Sequence, residues 1–158
     1  MIDIVNTLPK HKSKRYAKRV LSKIDIIILH HSATAKGTPK AFANYHVNTN
    51  GWPGIGYHVV ISEGVIYKTN SFDTVSYNCA GQNTRSIGIC FAADFDKRQP
   101  SKADYCLFVD ATNQVIYDLS KAKKIEVQLK EEQKVIQKRV EIQEEKWVDR
   151  EWVRKQNK

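Results

Sequence analysis

At 158 residues, with 41% hydrophobic and 9% aromatic side chains, the chain is the size of one ordinary domain and has enough apolar material for a real core. No stretch approaches the roughly 18 apolar residues of a membrane span, and the opening MIDIVNTLPKHKSKR lacks the apolar core of a signal peptide, so cytoplasmic synthesis is expected, with release needed for any role elsewhere. The net charge of +9 is carried by the flanks: residues 1–23 hold +6, residues 24–120 hold −1 and residues 121–158 hold +4, which argues against a domain whose whole surface tracks nucleic-acid phosphates.

Three zones follow in chain order. Residues 1–23 form a basic N-terminal segment in which KHKSKRYAKR either meets an anionic polymer (nucleic acid, wall polymer or membrane surface) or is a solvated arm. Residues 24–127 contain all seven glycines, three of the four prolines and all three cysteines, the punctuation of a compact domain with tight turns. Within it, IDIIILHHS reads as a central strand covered on both faces. Thr38, Pro39 and Gly51 supply the cap, first position and stop of a short helix. GYHVVIS and VIYKTN, joined at Glu63-Gly64, read as a hairpin. SIGICFAADF predicts a further strand. Ser101 caps a helix whose apolar positions are Leu107, Phe108, Ala111, Val115 and Leu119. The fold class is therefore α/β, a central mixed sheet flanked by helices. Cys79, Cys90 and Cys106 lack metal-type spacing and read as buried reduced thiols.

From Gln128 to Lys158 there is no Gly, Pro, Cys or His, and Leu129, Ile136, Val140 and Trp147 recur at spacings of seven, four and seven. This predicts a charged amphipathic C-terminal helix, suited to self-association or docking, or packed back on its own domain.

Adjacent strand residues face opposite ways, so at most one of His30 and His31 enters a site. The sequence LHHSAT, then YHVNTNGWPGIGYHVVISEGVIY, then NCAGQNTRSIGICFAADFD resembles, in order and spacing, the type-2 N-acetylmuramoyl-L-alanine amidases, a family that includes small phage amidases and the peptidoglycan recognition proteins. The resemblance covers about residues 24–100. It implies an amidase-like fold, with His30 as a Zn2+ ligand and Tyr57 beside the metal, where a hydroxyl could donate to an oxyanion. It also implies hydrolysis of the amide between N-acetylmuramic acid and L-alanine of the stem peptide, with Trp52 and Asn78 lining the muropeptide groove. A phage-type lysis protein acting on the cell wall after release fits these implications. His31, His46 and His58 read as structural.

The chain departs from that family in one place. Its members complete the zinc site after the last helix with a second histidine and then a cysteine or acid, whereas here no histidine follows His58 and no cysteine follows Cys106. Cys79, Asp94, Glu126 and Glu131 are the substitutes within the sequence. Asn78 stands where many relatives carry a histidine, and Lys68-Thr69 replaces the usual Gly-Arg. The alternative to an amidase is therefore a catalytically impaired peptidoglycan-binding or protein-interaction variant of the same fold, truncated or frameshifted after about Val127.

Overall fold

A computed structural model describes the backbone of residues 1–156, the side chains of residues 1–124, and those of 128, 130–134 and 138. It contains two compact units, Met1–Ser120 and Lys121–Lys158. The elements in order are β1 (Ile2–Asp3), β2 (Ile26–His31), α1 (Pro39–Asn48), β3 (Val59–Ser62), β4 (Val65–Lys68), β5 (Ser86–Phe91) and α2 (Lys102–Gln156). The positions proposed for the amphipathic tail, Leu129, Ile136, Val140 and Trp147, lie outside the described side chains, and with them the self-association reading. No described helix is long and apolar enough to cross a membrane.

Local chemistry sets the boundaries. Thr38 Oγ1 accepts the Ala41 N–H at 3.2 Å and Pro39 occupies the first turn of α1, where its missing N–H costs nothing. Gly51 follows at φ +64. Glu63 and Gly64 both have positive φ, 52° and 75°, the turn whose twist matches a two-residue hairpin. Ser101 Oγ accepts the Asp104 N–H at 3.2 Å while Asp104 Oδ2 accepts the Ser101 N–H at 2.8 Å, a reciprocal cap that opens α2.

The sheet order is β1-β4-β3-β5-β2, with β5 parallel to both β3 and β2, β3 antiparallel to β4, and β1 parallel to β4. The central strands are β3 and β5, every residue of which is buried. The strand IIILHH is thus not central, as its apolar run suggested. It is an edge strand paired only with β5, and Leu29 is 52% exposed, because the packed cluster centres on β3 and β5. The register assigns the faces. Val59, Ile61, Ile87 and Ile89 pack with Ala111, Val115 and Leu119 of α2, while Val60 packs on the other face with Ala43 of α1 and Ile55. His30 pairs with Cys90 and His31 with Phe91, so His31 belongs to the α2 face and His30 to the α1 face.

Residues 1–23 are built into the first unit. β1 adds to the sheet edge, His11 N–H donates to Pro53 O at 2.9 Å, and Lys18 forms a bridge with Thr74. Among the cysteines, all free, Cys90 is buried, Cys79 is half-buried and Cys106 is exposed. Cys106 departs from the expected burial because it lies off the α2 face that carries Ala111, Val115 and Leu119.

Truncating a central side chain should cost far more than truncating one on β2. Ile89→Ala is expected to lower the unfolding free energy by about 2–5 kcal/mol, and Leu29→Ala by under about 1 kcal/mol. Urea denaturation of the two variants checks the contrast, and equal losses would contradict the edge placement.

Candidate functional site

Five side chains meet on the α1 face near the end of β2. Tyr57, in the segment entering β3, has its ring 5.6 Å from that of His30 and 5.6 Å from that of His46. Trp52, in the loop after α1, stacks on His46 at 4.7 Å and 25°. Asn78 interacts with the His30 ring and packs over Gly88 of β5, where an added Cβ would come within 2.7 Å of the Asn78 Cβ. The structure therefore brings together all four residues singled out from sequence: His30, Tyr57, Trp52 and Asn78.

It also adds His46, read from sequence as structural. The imidazole is buried, and Nδ1 accepts the Gly56 N–H at 3.1 Å. Burial lowers its pKa, so the ring is neutral and its proton sits on Nε2. The sequence signal was available in retrospect: HVNTNGW joins the end of a helix to Trp52 by a turn too short to carry the tryptophan away from His46.

The backbone between Trp52 and His58 is fixed from several sides. Thr69 Oγ1 and Asn70 Nδ2 both donate to Tyr57 O, at 2.8 and 2.7 Å, and Asn70 Nδ2 also donates to Ile55 O at 2.8 Å. Gly56 is required for close approach, since a Cβ there would fall 2.7 Å from Tyr77 O and 2.8 Å from the Trp52 ring. His58 is fully buried; its Nε2–H donates to Thr74 O at 2.9 Å, and Nδ1 accepts the Gly88 N–H at 3.2 Å. The structural reading of His58 is thus upheld.

The electrostatics keep every group in this cluster neutral. Burial lowers the His30 pKa, against a raising contribution from Asn78 and a lowering one from His31. Burial followed by the neighbouring Cys90 raises the Tyr57 phenol well above its usual range, and burial pushes the Cys90 thiol up to about 12. The phenol is therefore a hydrogen-bond donor and the thiol does not become thiolate at neutral pH.

Among the described residues, no set of three protein donors surrounds His30. His30 Nε2 is a buried nitrogen with no hydrogen-bond partner, which suits a first ligand. However, among the described residues the one set of three His, Cys, Asp or Glu groups close enough to hold a metal is His31, Asp94 and Asp96, with ligand atoms within 4.8 Å of one another. Asp94 therefore sides with His31, on the opposite face from His30, and is no substitute ligand for it. Nor does the His31 set suit a cation. His31 Nδ1 accepts the Phe95 N–H at 3.1 Å, which places the proton of the neutral ring on Nε2, facing Asp96 at 3.7 Å. Ligation through Nε2 would require the opposite tautomer and would set two N–H groups against each other. Asp94 is in addition paired with Lys97 at 3.0 Å. Cys79 belongs to no such set, Glu131 is exposed, and Glu126 lies outside the described side chains.

The family described as N-acetylmuramoyl-L-alanine amidase matches residues 21–147. Peptidoglycan-recognition protein SC1a of Drosophila melanogaster is 31% identical over 99 residues, 54% of this chain and 54% of that protein. The chain spans about half the length of such relatives. The crystal structure of peptidoglycan recognition protein-LE in complex with tracheal cytotoxin superposes with a TM-score of 0.64 at 20% identity, covering 75% of this chain and 74% of that one. The endolysin of a Thermus scotoductus bacteriophage superposes with a TM-score of 0.63 at 21% identity, covering 76% and 80%. These likenesses confirm the mixed-sheet fold with its C-terminal helix.

The buried neutral His58 makes stability depend on pH. Burial, against a hydrogen bond to Thr74, holds its pKa at about 3 rather than 6.5. The folded pKa lies below the unfolded one, so the contribution is complete above about pH 6.5 and is lost progressively as the pH falls towards 3, where only the unfolded chain takes up the proton. The lowered pKa values of His30 and His46 act in the same direction. Urea midpoints should fall between about pH 7 and about pH 5, and His58→Gln should flatten that slope. A slope unchanged by the substitution would refute the assignment.

Proposed function

The chain belongs to the N-acetylmuramoyl-L-alanine amidase family, and from that premise we propose that the cluster of His30, His46, Trp52, Tyr57 and Asn78 recognises a muropeptide of peptidoglycan. The observation that carries this reading is His30 Nε2, a buried nitrogen for which no hydrogen-bond partner is found among the described residues, although Asn78 interacts with the same ring. Such groups are rare in native proteins because each costs about 1–3 kcal/mol. A neutral imidazole nitrogen beside the Tyr57 ring is matched to an amide or hydroxyl of the stem peptide and its lactyl linkage. The protonated Tyr57 hydroxyl, which meets the Cys90 thiol within the chain, would offer its proton to a carbonyl in place of that thiol. The neutral His46 supplies a donor through Nε2–H, and Trp52 offers an apolar plate for a sugar ring or peptide side chain.

Cleavage of the amide between N-acetylmuramic acid and L-alanine is the chemistry the family name describes. His46 carries its proton on Nε2 because Nδ1 accepts the Gly56 N–H, so among the described residues of this cluster His30 alone offers an unprotonated, unpartnered nitrogen. These residues support recognition more fully than zinc-dependent hydrolysis, and no catalytic step is assigned to a metal. One observation favours hydrolysis as the second reading: His30 and Tyr57 already stand together as first ligand and oxyanion donor would.

Three measurements separate the readings. Recognition predicts that purified protein carries far less than one zinc per chain, and that it sediments with insoluble peptidoglycan in the presence of a strong chelator. It further predicts that Trp52→Ala weakens binding about tenfold, equivalent to roughly 1.4 kcal/mol, while His30→Ala leaves a measurable fraction. Stoichiometric zinc with release of stem peptide, abolished by His30→Ala, would establish hydrolysis instead. Absence of both binding and release would remove both readings.

A further inference from the structure

A cavity of about 390 Å³ opens between the N-terminal segment and the loops at residues 53–55 and 69–74. None of the five side chains of the candidate site lines it. We propose that this cavity is a second binding site, for a sugar- or polyol-sized anionic unit such as occurs in cell-wall polymers. The source of the ligand, though not the chemistry of the pocket, rests on the peptidoglycan reading above.

The charge of the pocket is held in place by its surroundings. Lys10, Arg15 and Lys18 line it. Lys18 is already engaged, with Nζ 2.9 Å from Asp73, 3.2 Å from Ser71 Oγ and 3.3 Å from Thr74 Oγ1. Lys10 and Arg15 form none of the ion pairs found among the described residues. Arg15 is not a freely waving side chain, because its Nη1 donates to the carbonyl oxygens of His11, Lys12 and Lys14 at 2.8, 3.2 and 2.8 Å. Two cations without acidic partners, one of them fixed by backbone acceptors, provide a preorganised anion site.

The remaining surface indicates what the anion is attached to. A volume of this size falls in the range of small-ligand pockets, about 300–1,000 Å³. Asn6 and Asn70 line the cavity together with Ser71 and Thr74, whose hydroxyls are taken up by Lys18 and Asp73, while Leu8 and Pro53 give apolar patches, a mixture that suits the hydroxyl and C–H faces of a sugar or polyol. A nucleic-acid strand is a poorer match. Tyr16 supplies the one aromatic ring among the lining residues, and it is covered edge-on by Tyr77 at 4.9 Å, with its hydroxyl spent on Gly54 O and Ile55 O. No free ring is left for a base to stack on.

The test is titration of the full chain, followed by amide chemical shifts or calorimetry, with ribitol 5-phosphate, glucuronic acid and neutral ribitol. The exposed double substitution Lys10→Gln/Arg15→Gln serves as the variant and Lys10→Gln alone as the milder one. Binding of either anion, weakened about tenfold or more in the double variant and partially in the single one, supports the site. A response to ribitol 5-phosphate alone identifies a phosphate-bearing polyol, and a response to glucuronic acid alone a uronic-acid glycan. Anion binding undiminished in the double variant, ribitol binding as strongly as either anion, or binding confined to a single-stranded oligonucleotide would each overturn the proposal. Muramyl dipeptide, titrated in parallel, should bind wild type and double variant alike. Loss of that signal in the wild type, with ribitol 5-phosphate still bound at Lys10 and Arg15, would remove the muropeptide reading and leave the anion pocket standing.

Discussion

The interaction on which the rest of the first unit depends is the buried, neutral imidazole of His58. Its backbone N–H donates to Gly88 O at 2.9 Å and its Nδ1 accepts the Gly88 N–H, so one residue closes both ends of a link between the entry to β3 and the middle of β5. The other ring nitrogen donates to Thr74 O, and its backbone carbonyl accepts the Thr69 N–H at 2.8 Å, tying in the loop beyond β4. With every hydrogen-bonding group satisfied in a dry environment, protonation is disfavoured and geometry is over-determined. Tyr57 is the next residue along the chain, so the rigidity of His58 is passed directly to the site.

The basic N-terminal segment enters the same network. Arg19 donates to Phe72 O and Asn83 O at 3.1 and 2.7 Å, and its charge adds to the forces that keep His58 neutral. Tyr16 holds the Gly54 and Ile55 carbonyls and leads, through ring contacts with Tyr77, Trp52, His46 and Tyr57 in turn, to His30. The segment for which composition left open a polymer contact or a solvated arm is a supporting wall, and its cations are divided between structural work, as in Arg19, and open pocket rim, as in Lys10. A charge total cannot distinguish these uses, because only position decides whether a guanidinium meets carbonyls or solvent.

The adjacent histidines show how far one residue of register separates two roles. His31 faces the aromatic cluster of Phe91, Phe95 and Phe108 and is committed by the Phe95 N–H to a tautomer that excludes metal binding. His30 faces Tyr57 and Asn78 and keeps a nitrogen without a partner among the described residues. Among the described residues, the α1 face thus gathers one partnerless imidazole nitrogen with hydrogen-bonding and aromatic side chains, and no third His, Cys, Asp or Glu group joins it as a metal donor.

Much of this was legible in the residues themselves. Turn and cap chemistry is local, so Thr38-Pro39, Glu63-Gly64 and Ser101 marked their elements correctly, and the alternation rule alone sent His30 and His31 to opposite faces. The four candidate residues that the structure brings together, His30, Tyr57, Trp52 and Asn78, came from a resemblance in motif order. Sheet order was not legible: IIILHH reads as a central strand, yet lies at the edge because its neighbours are chosen by the packing of α2 on β3 and β5, a non-local contest that an apolar run cannot report. Likewise, the place of His46 beside Trp52, the transfer of Asp94 to His31, and the cavity beneath the N-terminal segment arise from contacts between distant parts of the chain. The sequence determined which groups were available and which way neighbouring ones must point, and tertiary structure decided which of them meet, because burial and hydrogen-bond satisfaction are settled only when the elements pack.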